Sequence, residues 1–160
     1  MTVHVRRAGP LDAPAMAELL NAIIARGGTT AMTRPVTADG LAGHMNTPGA
    51  IWHVAEDAEG TVLGFQWIEP APNLGPGACD IASFVRIGET GRGVASRLFQ
   101  ANRDAARAAG LSWINAEIRA DNDSGLTYYQ SRGFERYGMI RGKRLQDGTI
   151  VDKVLMRYDL

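Results

Sequence analysis

Cysteine is nearly absent from this chain, with Cys79 alone among 160 residues. One thiol cannot close an intrachain disulfide or supply a thiolate zinc site. His4, His44 and His53 lack the spacing of metal ligands. An excess of charge of either sign is also missing, since Lys plus Arg and Asp plus Glu number 17 each. That balance removes the electrostatic reason to expect nucleic acid or an anionic membrane as a partner. No apolar run approaches the roughly 20 residues of a membrane-spanning helix. Met1–Arg6 has none of the apolar stretch of a secretory signal. Internal repeats, low-complexity tracts and linkers are lacking as well. The expectation is a reduced, cytoplasmic protein in which residues 1–160 form a single domain. A chain of that length buries roughly two thirds of its unfolded surface without a disulfide or metal.

The apolar residues that are present are patterned. Val3 and Val5 alternate as in a short strand. Asp12 can cap a helix with Pro14 in its first turn, and Met16, Leu19, Leu20, Ile23 and Ile24 give that helix one apolar face before Gly27-Gly28. Thr37-Ala38-Asp39 can open a second helix through His44 and Met45. Ile51–Glu56 and Thr61–Ile68 read as a hairpin around Asp57-Ala58-Glu59-Gly60, and Ala78–Val85 follows a Pro- and Gly-rich loop as another strand. A third helix spans Val94–Ala109, with Leu98, Ala101, Ala105 and Ala108 on one side. Trp113–Ile118 reads as a strand. Asp121–Ser124 caps a short helix that runs to about Arg132, and Phe134–Ile140 and Ile150–Tyr158 close the chain as strands. The order β-α-α-β-β-β-α-β-α-β-β predicts a mixed α/β (α+β) sheet fold.

The densest chemical signal is a strand, then Gly88-Glu89-Thr90-Gly91-Arg92-Gly93-Val94-Ala95, then a helix. Glycines let the backbone approach a ligand closely. The first N–H groups of the following helix lack intrahelical acceptors and sit at the positive end of its dipole. Phosphate fits such a site. The run is neither a Walker loop nor a dinucleotide fingerprint, because no Gly-Lys-Ser/Thr follows and the glycine spacing differs. A plain tight turn would have the same sequence. A second signal lies downstream: Asn122, then Tyr129, then Gly133-Phe134 four residues further on.

On these two motifs the chain resembles the GNAT superfamily of N-acetyltransferases. The family element Arg/Gln-x-x-Gly-x-Gly/Ala is matched at Gly93 and Ala95 and departs at Thr90. The Asn, Tyr and Gly-Phe positions are matched at Asn122, Tyr129, Gly133 and Phe134. The resemblance covers nearly the whole chain and implies the GNAT fold, with a V-shaped gap between Ala78–Val85 and Trp113–Ile118. It implies acetyl-CoA as acyl donor, its pantetheine in the gap and its pyrophosphate on the amides of Arg92, Gly93, Val94 and Ala95. Phe84, Val85, Ser96, Asn122 and Tyr129 complete the implied cofactor contacts. A homodimer also fits the resemblance.

The chemistry asks for two proton handlers. An alkylamine of pKa about 10 must lose a proton to attack a thioester, and the leaving thiolate gains by receiving one. Tyr129 holds the position of the acid by resemblance; a core aromatic on a helix is the competing reading, with Tyr128 beside it. Asp80 stands where amino-acid-type relatives place a glutamate base. Glu117, which alternation puts on one face with Trp113 and Asn115, is the other candidate base, and either carboxylate could instead be a structural acceptor. Cys79, His44 and His53 read as core or surface residues, as do most of Trp52, Trp67 and Trp113. Arg26, Thr29 and Thr30 are the expected contacts of a small polar acceptor such as an amino acid. A protein or peptide acetyltransferase and a non-catalytic acyl-CoA sensor are the competing functions. No metal is expected.

Overall fold

The computed structural model describes residues 2–90 and 92–160; Met1, and Gly91 of the glycine-rich loop, lie outside the described residues. The chain forms β1 (His4–Arg7), α1 (Ala13–Arg26), α2 (Ala38–Met45), β2 (Ile51–Glu56), β3 (Val62–Pro70), β4 (Ala78–Val85), α3 (Val94–Ala108), β5 (Trp113–Arg119), α4 (Asp123–Ser131), β6 (Glu135–Arg144) and β7 (Ile150–Asp159). The seven strands form one sheet in the order β1-β2-β3-β4-β5-β7-β6. Every pairing is antiparallel except that of β4 with β5, which is parallel. A parallel pair needs a crossover, and α3 supplies it.

Two layers of helix cover the sheet. On one face α1 and α2 pack Met16, Leu19, Leu20 and Leu41 against Trp52, Val54, Phe65, Trp67 and Phe84. Each such side chain removed from water contributes about 1.5–3 kcal/mol. On the other face Phe99 and Ala106 of α3 and Tyr129 of α4 pack against Ile68, Ile81, Ile114 and Ala116. The buried stripe of α3 is Val94, Leu98, Phe99, Asn102 and Ala106; it shares Leu98 with the side marked by the alanines, whose Ala108 is exposed. Asn102, a polar residue, lies fully buried within that stripe.

Asp12 stands at the N-cap position of α1 but makes no side-chain cap. Its carboxylate turns back to accept from the Gly9 N–H at 2.8 Å and from both terminal nitrogens of Arg6 at 2.9 and 2.7 Å. A bidentate guanidinium outcompetes a single helix amide. Strand β6 runs past Gly142, where the sequence suggested a break. A register shift between Ile140 and Lys143 absorbs the glycine, and the Asp152 carboxylate accepts from its N–H at 2.9 Å.

Candidate active site

The parallel ladder between β4 and β5 stops early. It joins Ala78 to Trp113, Cys79 to Ile114 and Asp80 to Asn115, while β4 continues to Val85 and β5 to Arg119. On their outer sides both strands stay paired, β4 to β3 as far as Val85 opposite Gly64 and β5 to β7 as far as Arg119 opposite Lys153. The two strands therefore part as a V beyond Asp80 and Asn115. Gly77 fixes the closed end. Its carbonyl accepts from the N–H groups of Ser112 and Trp113 at 2.8 and 3.3 Å. A Cβ on Gly77 would lie 2.4 Å from Ser112 Oγ, so only glycine allows the two strand starts to meet. The inner edges offer backbone donors and acceptors to any extended ligand that carries amides.

The glycine-rich loop delivers the chain to α3 beside this V. Helices α2 and α4 are capped by side chains, Thr37 accepting from Gly40 N and Asn122 from Gly125 N. The N-cap of α3 is Gly93, which has no side chain to give. Its φ is 75°, and an added Cβ would meet nothing within 4 Å. Among the described residues no side chain caps the first turn of α3, which lies at the positive end of a 15-residue helix. Arg132, which the sequence reading passed over, brings a guanidinium to this turn, its Nη1 donating to Ser96 Oγ at 3.1 Å. Tyr128 donates to the Ala95 carbonyl at 2.8 Å, which ties α4 to the same turn. Arg92 pairs with Glu89.

Tyr129 enters the V from the α3/α4 face. Its ring is buried among Ile81, Phe99, Ala116, Ile118 and Phe134, and its phenol oxygen lies 2.9 Å from Ser83 Oγ on β4. Burial pushes the phenol up to about 12, with the Ser83 hydrogen bond acting in the opposite direction. Phe84, one residue on, turns its ring to the other face, 5.1 Å from Phe65 and 5.4 Å from Trp67 between centroids. Only its backbone borders the gap. Val85 packs with Leu63, Val94 and Leu98 beneath the loop.

Asp80 lies on the α1/α2 face, since three positions of a strand separate it from Ser83. It is half-buried and accepts from Asn115 Nδ2 at 2.8 Å. Asn115 in turn accepts from the Tyr137 phenol at 2.5 Å. Burial raises the Asp80 carboxyl above the ordinary range; the Asn115 bond opposes this, and the charges of Glu117 and Glu69 add to it. Glu117, the other candidate, is exposed and approached by Lys153 Nζ at 3.4 Å. Glu69, the cross-strand partner of Asp80, lies 2.9 Å from His44 Nε2. His44 packs against Trp52 and Trp67, so it belongs to this face of the site and not to an unrelated surface. Cys79, beside Asp80, is buried, and burial pushes its thiol up to about 12. It is therefore a poor nucleophile.

The segment between α1 and α2 crosses the open end of the V on the Asp80 face. Thr30 O accepts from Arg119 Nη1 and Thr29 O from Asn122 Nδ2, both at 3.1 Å. Thr33 and Arg34 reach the β6–β7 turn at Gln146 and Asp147. Asn122 thus both caps α4 and holds this loop. Arg26 is exposed at the end of α1 and makes no side-chain hydrogen bond or ion pair among the described residues. Arg86 is bound to the Val62 carbonyl at 2.7 Å. Among the described residues no group of three or more His, Cys, Asp or Glu could hold a metal ion, and no helix is long and apolar enough to cross a membrane.

Comparison with known proteins agrees with this geometry. An L-methionine sulfoximine/L-methionine sulfone acetyltransferase from Pseudomonas aeruginosa is 29% identical over 167 residues, covering all of this chain and 96% of that protein. A phosphinothricin acetyltransferase from Sinorhizobium meliloti, solved in complex with acetyl-CoA, superposes with a TM-score of 0.89 at 21% identity over 100% of this chain and 89% of its own. An N-acetyltransferase from Staphylococcus aureus does so with a TM-score of 0.87 at 22% identity over 99% of each chain. The model of the acetyltransferase (GNAT) family matches residues 16–134, and the chain belongs to that family.

Proposed function

We propose that this protein transfers the acetyl group of acetyl-CoA directly to the amine of a small polar, amino-acid-like acceptor. The observation that carries this reading is the two-sided V, with a phenol aimed at it from one face of the sheet and a raised-pKa carboxylate on the other. A thioester laid through the gap meets Tyr129 and Ser83 on the α3/α4 side. An amine arriving on the α1/α2 side meets Asp80. The pyrophosphate takes the open amides of Gly93, Val94, Ala95 and Ser96, with Arg92 and Arg132 as cations in place of the side chain that Thr90 does not supply.

Asp80, directly or through a water, accepts the proton of the attacking amine. Its raised pKa makes it a better base than an ordinary carboxylate. Tyr129 returns a proton to the sulfur as the thiolate leaves. Positioning does the rest, because the donor is already activated. Glu69 and Glu117 add negative potential that draws an ammonium toward Asp80. Arg26, exposed at the end of α1, is the proposed partner for an acceptor carboxylate, with Thr29 and Thr30 as further contacts. The bonds from Arg119 and Asn122 hold the α1–α2 segment across the V, which favours a small molecule over an extended peptide. The relative that acetylates methionine sulfoximine and methionine sulfone points the same way.

Two measurements test the reading. In a turnover screen of amino acids, methionine sulfone and sulfoximine, phosphinothricin, polyamines and peptides, the amino-acid-like amines are turned over best. Arg26→Ala then raises acceptor KM by about tenfold, the loss of about 1.4 kcal/mol of binding, with acetyl-CoA KM unchanged. Use of peptides alone, or an unaltered acceptor KM, overturns the acceptor assignment. For the donor site, Gly93→Val forces a β-branched residue to positive φ at a strain of roughly 1–2 kcal/mol. The chain stays folded while its side chain covers the first-turn amides. Calorimetry is expected to give acetyl-CoA affinity reduced by roughly tenfold or more; wild-type affinity in a folded variant excludes this turn as the phosphate site.

A further inference from the structure

A row of buried polar groups runs through the otherwise apolar layer between α3 and the sheet and ends at Tyr129. His53 on β2, Gln66 on β3 and Asn102 on α3 are 7%, 0% and 0% exposed. Successive contacts join His53 Nδ1 to Asn102 Oδ1 at 2.9 Å, Asn102 Nδ2 to Gln66 Oε1 at 2.9 Å, Gln66 Nε2 to Ser83 Oγ at 2.7 Å and Ser83 Oγ to Tyr129 at 2.9 Å. Buried polar groups on this scale weaken a core unless every member is satisfied, so the row calls for a function.

Its polarity is fixed. The Asn102 amide nitrogen also faces the backbone carbonyls of Leu98 and Gln66 at 3.3 and 3.4 Å. Carbonyls only accept, which identifies that atom as the NH₂ group. Asn102 Oδ1 then faces His53, whose Nδ1 must carry a proton. Gln66 presents its oxygen to Asn102 and its NH₂ to Ser83. Every bond therefore donates in one direction, from His53 toward Ser83. Burial lowers the His53 pKa, and the neutral ring with its proton on Nδ1 suits this arrangement.

We infer that this chain orders the Ser83 hydroxyl as the hydrogen-bond donor to Tyr129, making Gln66, Asn102 and His53 positioning residues for the acid. The inference rests on the reading of Tyr129 as that acid. With Ser83 accepting from Gln66 and donating to the phenol oxygen, the Tyr129 proton is left to point into the V. As the C–S bond of the tetrahedral intermediate breaks, that proton passes to sulfur and its electron pair stays on the phenolate. The Ser83 O–H then donates to a full negative charge in a dry site, where such a bond is strongest. Solvent reprotonates the phenolate once CoA has left. Amides do not relay protons, so the chain orients and stabilises without conducting.

The test is a double-mutant cycle. Gln66→Met keeps the volume and removes the donor; Ser83→Ala removes the last link at a half-buried strand position and leaves the amides below it intact, so the cycle survives if Gln66→Met does not fold. Each is expected to lower kcat by about tenfold with acetyl-CoA KM little changed, and neither is expected to lower it further in the Tyr129→Phe background. Tyr129→Phe with wild-type kcat overturns both the acid reading and this inference. Tyr129→Phe slow, with both other variants at wild-type kcat or with their losses fully additive to it, overturns the chain alone.

Discussion

Tyr129→Phe is expected to lower kcat by about 10²–10⁴, the range in which a positioned proton donor contributes, while the KM for acetyl-CoA stays near wild type. The substitution removes one oxygen. The ring keeps its packing against Phe99 and Phe134, and among the described residues the phenol loses one hydrogen bond, that with Ser83. A hydrogen bond of this kind contributes about 1 kcal/mol, so the variant folds and a rate loss cannot be attributed to unfolding. The proposed acetyl-CoA site uses backbone amides of α3 and the strand edges, which the change does not touch. Tyr128→Phe is the control. It removes the bond to the Ala95 carbonyl and no proton donor to sulfur, so kcat stays within a few-fold of wild type. Steady-state kinetics on the two variants decide the matter. A Tyr129→Phe enzyme with undiminished kcat would make the tyrosine a core residue.

Asp80→Asn is expected to lower kcat/KM by a similar factor, about 10²–10⁴ near neutral pH, and to recover part of it as alkaline pH supplies free amine. With Asp80 as the base, the wild-type rate is expected to rise with pH through the pKa of this carboxyl, which burial has placed above the ordinary carboxylate range. Stability moves the other way. A carboxyl whose folded-state pKa is raised is favoured in its protonated form by folding, so its contribution is present at low pH and is lost as pH rises through that raised value. At neutral pH ionised Asp80 thus costs stability. Asparagine can still accept the hydrogen bond from Asn115 and carries no charge to desolvate. The variant is therefore expected to hold or raise Tm at neutral pH while it loses activity, a pairing that a structural carboxylate would not give. Glu117→Gln, made beside it at an exposed site, is expected to keep most of the rate and to move the profile slightly to lower pH, because it removes a charge that helps raise Asp80. Wild-type profiles in both variants remove both carboxylates from the reaction.

The succession of elements was legible because each carries its own local signal. The α1 stripe of Met16, Leu19, Leu20 and Ile23 is buried as its spacing requires, and the glycine-rich run does lead from a strand into α3. Tyr129 and Asp80 could be named because a motif or a strand position marks them. The residues around them could not. Ser83, Gln66, Asn102 and His53 are scattered over 50 positions of sequence and meet only because α3 lies over β2 and β3. Nothing local marks the polar Asn102 for burial, because its partners His53 and Gln66 come from β2 and β3.

The sequence by itself determined the periods of its helices and strands, the turn that leaves α3 without a side-chain cap, and the motif spacing that marks the family. Those properties are local, set by backbone sterics and by side chains a few residues apart. Only the tertiary structure decided how far β4 and β5 stay paired before they part, and that Asp80 faces one side of the sheet while Tyr129 meets Ser83 on the other. It alone decided that burial raises both groups. Desolvation and hydrogen bonding depend on what the rest of the chain places around a group, and that is fixed only when the layers close.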